Sequence, residues 1–170
     1  MKKNLSCLLA FAITMVLFSA CNDKNDIDAW REANTAAYEA ITKTYKPLQT
    51  ATGPSGVYYK VVKSGTGTEY PLQTSKVKVL YKGTYYDGSV FDAGSSGNNI
   101  PVEFSLSSVV RGFSFALQNM VVGDKWEIWI PYYLGYGATG HYDTYGYTQL
   151  IKGYTTLVFE VELASITQYP

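Results

Sequence analysis

A chain of 170 residues has room for one domain with a real core, plus appendages. Its 14 basic and 14 acidic side chains balance, which removes any electrostatic case for a nucleic-acid partner, and a single histidine excludes a multi-histidine metal site. Sixteen tyrosines and 15 glycines favour a β-rich fold with many turns.

Lys2 and Lys3 precede an apolar run from Leu5 to Phe18 that only Ser6 and Thr14 interrupt. This is the charged and apolar pattern of a secretory signal, and the run is too short to make a convincing spanning helix. It ends Phe18-Ser19-Ala20-Cys21, which resembles a bacterial lipoprotein box, with Phe18 where leucine is usual. The resemblance implies a signal peptide over 1–20, cleavage before Cys21, and lipidation of Cys21. The mature chain would carry 12 basic and 14 acidic side chains. Each buried methylene of an acyl chain contributes about 0.8 kcal/mol, so several chains anchor durably. The expected location is then the bacterial cell envelope, periplasmic or on the surface side of the outer membrane. Ordinary cleavage that leaves Cys21 a free thiol is the alternative.

Asn22-Asp23-Lys24-Asn25-Asp26 reads as a polar tether. Asp26 or Asp28 can cap a helix that runs to about Tyr45 and stops before Pro47. Ile27, Trp30, Ala37, Tyr38, Ile41 and Tyr45 give it an apolar side. That side can pack on its own domain, pair with a second copy in a homodimer through 26–45, or serve as a spacer from the membrane. Gly53-Pro54-Ser55-Gly56 marks a boundary, dividing 21–52, tether and amphipathic helix, from a folded domain over 53–170.

Strand-like segments follow at short intervals. Val57 to Lys63 comes first, then Lys76 to Tyr81 with Val77, Val79 and Tyr81 on one face. Asp87-Gly88 is a hairpin turn between Tyr85-Tyr86 and Ser89-Val90-Phe91. Val102, Phe104 and Leu106 alternate again. Between Ser107 and Met120, the residues Val109, Val110, Phe113, Leu117 and Met120 recur at helical spacing, and Gly123 supplies a left-handed stop. Lys125 to Pro131 turns Trp126, Ile128 and Ile130 inward. A Gly/Tyr-rich loop over 132–154 leads to a last strand, Thr155 to Ile166, that buries Leu157, Phe159, Val161 and Leu163. The order predicts an α+β domain in which a bent antiparallel sheet wraps one short helix, with a helical extension at the N-terminus.

Six blocks in register carry a resemblance across about Gly56 to Ile166. They are Val79-Leu80-Tyr81-Lys82-Gly83; Asp87-Gly88 with Val90-Phe91-Asp92; Val109-Val110-Arg111-Gly112-Phe113; Met120 with Val122-Gly123-Asp124-Lys125; Ile130-Pro131 with Leu134-Gly135-Tyr136-Gly137; and Thr156 to Leu163. Together they resemble the FKBP-type peptidyl-prolyl cis-trans isomerases. The resemblance implies a proline pocket lined by Tyr81, Phe91, Asp92, Val109, Val110, Phe113, Tyr136, Ile151 and Phe159. Phe113 is its floor, where well-known members have tryptophan. Tyr136 and the Val110 N–H would donate to substrate carbonyls, Asp92 would sit beside the twisting bond held by Tyr81, and His141 would flank the pocket. It also implies proline-containing polypeptide substrates, macrolide inhibitors as ligands, a role in folding exported proteins, and no cofactor or metal.

Each residue has a plainer reading. Phe91, Phe104, Leu117, Trp126 and Phe159 serve as core in any β-rich domain, Asp92 can cap a turn, Tyr136 sits in a tyrosine-rich loop, and His141 can be a solvated loop residue. The departures from the family pattern are Phe113, Val102 at the pocket rim, Lys152-Gly153 for a Pro-Pro pair, and a longer loop between His141 and Leu150. They imply weakened activity or macrolide binding, or an FKBP-fold chaperone or binding module with a degraded pocket. Glycan binding by exposed tyrosines is a more distant alternative.

Overall fold

The computed structural model describes residues 20–95 and 98–168. The expected signal peptide therefore lies, except for its last residue, outside the described residues. Helix α1 spans Ala20–Ile41. Residues 22–26, expected as a tether, belong to it, since none of Asn, Asp or Lys is a helix breaker as glycine and proline are. It stops four residues short of Tyr45, where the Thr42 hydroxyl takes the Glu39 carbonyl at 2.7 Å and the N–H groups of Thr44 and Tyr45 fold back onto Ile41. No helix among the described residues is long and apolar enough to cross a membrane.

The main sheet runs in the order β1 (Lys46–Thr50), β2 (Gly53–Lys63), β6 (Lys125–Ile130), β9 (Leu157–Gln168), β3 (Lys76–Thr84), β4 (Val90–Asp92), with β5 (Val102–Ser105) also paired to β3. Every pairing is antiparallel. Strand β1 lies ahead of the boundary expected at Gly53. Proline at position 47 reads as a breaker, yet β1 is an edge strand, where a missing N–H costs no ladder bond. The loop over 132–154 also carries structure: a 3-10 turn at Tyr132–Leu134 and a small ribbon of β7 (His141–Tyr142) and β8 (Gln149–Ile151).

Helix α2 spans only Arg111–Leu117, shorter than the periodicity suggested. Ser108 closes a turn onto the Ser105 carbonyl and Val110 is extended, so the helix starts late. Gly123 has φ 92° but does not end the helix; it turns the chain into β6, its N–H bonded to the Leu163 carbonyl. The concave face of the sheet closes over α2. Val77, Val79, Ile128, Ile130, Leu157, Val161 and Leu163 meet Phe113, Ala116, Leu117 and Met120, all buried. Each such large side chain contributes about 1.5–3 kcal/mol through burial.

The convex face is covered at one end by the helical extension. The phenol of Tyr45 donates to Glu127 Oε1 at 2.8 Å, Trp129 Nε1 donates to the same oxygen at 2.9 Å, and the two rings meet edge-on at 6.2 Å. Tyr38 packs edge-on against Tyr58 at 5.7 Å, and its hydroxyl bonds the Gly56 carbonyl. Of the three uses open to the apolar side of this helix, the one realised within the chain is packing on its own domain.

Candidate active site

A cavity of about 310 Å³ opens between the N-terminal end of α2, the end of β4, and the loop after β6. Its lining comprises Tyr81, Asp92, Phe104, Ser108, Val109, Val110, Phe113, Tyr136, His141 and Phe159. Strands β3 and β9 supply Tyr81 and Phe159 from diagonal positions on one face, because period-2 alternation turns both toward the core. Gly83, opposite Phe159 in register, leaves room for the Phe91 ring.

The floor is aromatic. The Phe113 ring lies 4.9 Å from Phe159, 6.4 Å from Tyr81 and 6.3 Å from Phe104, measured between centroids. Phe104 also meets Tyr81 edge-on at 5.4 Å. These contacts fix the rings in offset or T-shaped pairs, each adding about 0.5–1.5 kcal/mol beyond area burial. The result is an apolar, aromatic base.

The rim is polar. Tyr81 donates its hydroxyl to Asp92 Oδ2 at 2.8 Å, and the other carboxylate oxygen accepts the Gly94 N–H at 2.9 Å. Asp92 thus caps its turn and binds Tyr81 at once. Burial, the hydrogen bond to Asp92 and its negative charge push the Tyr81 phenol well above its ordinary 10.0. Burial, then the charge of Asp92, raises Tyr136 as well. Both phenols therefore remain protonated donors through the neutral range. Among the described residues no acceptor takes the Tyr136 hydroxyl or the Val110 N–H. The Tyr136 ring is stacked on His141 at 4.6 Å and 21°, which orients it along the wall.

Two expected lining residues, Phe91 and Ile151, do not line this cavity. Phe91 packs against Tyr85 at 5.2 Å and against Phe159 at 5.5 Å, backing the ring that faces the cavity. Ile151, 5% exposed, is the last residue of β8, opposite His141 in register, and its side chain belongs to the core. Conversely, Phe104 was legible as an alternating apolar residue but not as lining, and Ser108 carried no signal. Val102 pairs with Val79 one step along from the cavity.

The raised phenols have a measurable consequence. Tyr38, Tyr45, Tyr81, Tyr85 and Tyr136 all titrate above 10.0 in the fold, Tyr45 at about 12. The unfolded chain ionises them near 10.0, so their contribution to stability is complete below that pH and is lost as pH rises through the folded values. Urea midpoints are expected to hold from about pH 7 to about pH 9 and to fall steeply by about pH 11. A flat profile across that range would contradict the burial of these hydroxyls.

A family model described as FKBP-type peptidyl-prolyl cis-trans isomerase matches residues 67–164. The chain is 41% identical over 112 residues to the FKBP-type 22 kDa peptidyl-prolyl cis-trans isomerase of Escherichia coli K12, covering 66% of this chain and 50% of that one. It is 36% identical over 113 residues to the outer membrane protein MIP of Legionella longbeachae, covering 66% and 45%. A crystal structure of a peptidyl-prolyl cis-trans isomerase from Pseudomonas syringae pv. tomato matches the fold with a TM-score of 0.68 at 35% identity, over 83% of this chain and 96% of that one. The chain spans about half the length of the curated relatives it matches.

Proposed function

Because the chain belongs to the FKBP-type peptidyl-prolyl cis-trans isomerase family, we propose that it catalyses cis-trans isomerisation of X-Pro bonds in polypeptides. The observation that carries this reading is the aromatic cavity of Tyr81, Phe104, Phe113 and Phe159 with donors held at its rim. Rotation about an X-Pro amide breaks resonance, and unaided it takes tens to hundreds of seconds. No nucleophile is needed. The planar amide is dipolar and well solvated, and the twisted amide is less so. A water-poor pocket penalises the first more than the second. The free Val110 N–H and Tyr136 hydroxyl hold the flanking carbonyls in the twisted geometry, and Asp92, fixed by Tyr81 and Gly94, places its charge beside the rotating bond. A thousandfold acceleration asks for about 4 kcal/mol off the barrier. Shape and a few fixed donors suffice for that.

The test is cis-trans exchange of an Ala-Leu-Pro or Ala-Phe-Pro peptide, followed by NMR. Acceleration at micromolar protein supports the reading; a background rate removes it in favour of a non-catalytic binding module. Tyr81→Phe is expected to lower kcat/KM severalfold and stability by about 0.5–1.5 kcal/mol, since it frees the Asp92 carboxylate. Asp92→Ala loses both the turn cap and the charge, and its loss of activity should be at least as large. If both variants keep wild-type kcat/KM, the rim has been assigned wrongly. Macrolide inhibitors would occupy the same cavity, and competition with the peptide tests this.

We also propose that cleavage precedes Cys21, that Cys21 is lipidated, and that the domain works in the bacterial cell envelope on exported proteins. The motif Phe18-Ser19-Ala20-Cys21 behind Lys2-Lys3 and the apolar run supports this, as does a relative named for the outer membrane. Incorporation of labelled palmitate that Cys21→Ser abolishes is the expected result. The 1–20, 21–52 and 53–170 division stands as part of this proposal, with β1 added to the sheet. A homodimer through 26–45 would have to use the charged side of α1, because Trp30, Asn34 and Tyr38 are engaged with the domain.

A further inference from the structure

Helix α1 does more than cover the sheet. Three of its residues on one side, Trp30, Arg31 and Asn34, converge on a single segment, Lys152 to Thr156. The Trp30 indole N–H donates to Thr155 Oγ1 at 3.1 Å, and that hydroxyl donates to the Lys152 carbonyl at 2.7 Å. Asn34 is 1% exposed. Its Oδ1 accepts the Thr156 N–H at 2.8 Å and its amide donates back to the Trp30 carbonyl at 2.8 Å, so both ends of a buried polar group are used. The Arg31 guanidinium lies over the Tyr154 ring at 4.8 Å, and the Lys152 ammonium over the Trp30 ring at 5.6 Å.

The held segment is in turn joined to the pocket wall. Tyr154, at φ 60°, donates its N–H to the Gly137 carbonyl at 3.0 Å. Residues 137–140 and 151–153 run so close that neither Gly140 nor Gly153 could carry a β-carbon. Tyr136 and His141, both lining the cavity, flank that first stretch. A second route leaves the same tryptophan. Trp30 meets Tyr85 at 5.7 Å, Tyr85 meets Phe91 at 5.2 Å, and Phe91 backs Phe159 at 5.5 Å.

We propose that α1 is a strut for the active site: Trp30 and Asn34 are positioning residues that hold the Tyr136–His141 wall and, through Tyr85 and Phe91, the Phe159 side of the pocket. The proposal rests on the isomerase reading for its catalytic consequence. When the strut is cut, the competent wall is populated only part of the time, and the apparent affinity falls by that fraction while the bound state reacts as before. The signature is a rise in KM at nearly constant kcat.

The experiment uses the full chain. Trp30→Ala and Asn34→Ala are expected to raise KM for the proline peptide about fivefold, with kcat within about twofold of wild type. Amides of 137–156 should exchange about tenfold faster, while those of β3 and β9 keep their protection. Asn34→Asp keeps the acceptor for Thr156 N–H but loses the donor to the Trp30 carbonyl, and should recover part of both quantities; Glu32→Gln, outside these contacts, should match wild type. Wild-type KM and wild-type exchange in both alanine variants would overturn the strut, as would a kcat loss at unchanged KM that follows the unfolded fraction seen by circular dichroism. Faster exchange at unchanged KM would overturn its catalytic part. A wild-type chain that fails to accelerate the peptide removes the isomerase reading instead, and the exchange rates still decide the strut.

Discussion

Phe113→Ala is expected to cost about 3–5 kcal/mol of stability, a large share of the roughly 5–15 kcal/mol that holds a domain of this size together. The ring is 4% exposed and contacts Tyr81, Phe104 and Phe159, so truncation removes buried area, leaves a cavity, and breaks three aromatic pairs. Activity should fall about tenfold or more, because the same ring is the surface on which the proline would rest. The two effects separate when urea midpoints are read beside kcat/KM at low temperature, where the variant stays folded by circular dichroism. Phe113→Leu restores part of the volume without the ring; stability should recover further than activity. If alanine leaves both at wild-type values, Phe113 is not the floor.

Gly153→Ala carries the second large effect. A β-carbon there falls on the Ala138 carbonyl, and the facing Gly140, at φ 84°, has the Ile151 carbonyl in the same relation. Both obstacles are backbone, so no side chain can rotate away, and the two strands of the loop must part. Overpacking of this kind costs about 1–3 kcal/mol, with further loss as the Tyr154–Gly137 bond opens. Activity is expected to fall with it, since Tyr136 and His141 hang from the displaced stretch. Urea unfolding and peptide exchange on the one variant check both. A wild-type midpoint would mean that the segments separate freely.

Both predictions draw on contacts between residues far apart in the chain, and these were unevenly legible. Alternation in β3, β6 and β9 assigned Val77, Val79, Ile128, Ile130, Leu157, Val161 and Leu163 to the interior, because a period of two leaves each strand one choice of face. The helical stripe placed Phe113, Leu117 and Met120 against that face, though cap geometry shortened the helix. Motif register brought Tyr81, Asp92, Val110, Tyr136, His141 and Phe159 to one site, and the cavity contains all six. It placed Phe91 and Ile151 there too; Phe91 packs edge-on against Phe159 and Ile151 is buried, and neither lines this cavity.

The amino-acid sequence by itself determined the family, the order of the long strands and the two helices, and the inward faces of the sheet, because those follow from local period, turn chemistry and motif spacing. Only the tertiary structure decided what depends on meetings between distant segments: that Pro47 lies on a tolerant edge, that Asp92 serves Tyr81 and Gly94 together, and that α1 reaches across 122 residues from Asn34 to Thr156. An asparagine in a polar helix looks solvated from its neighbours in sequence. Folding buries it against a strand end whose N–H needs an acceptor, and the free energy of that unsatisfied group fixes its place.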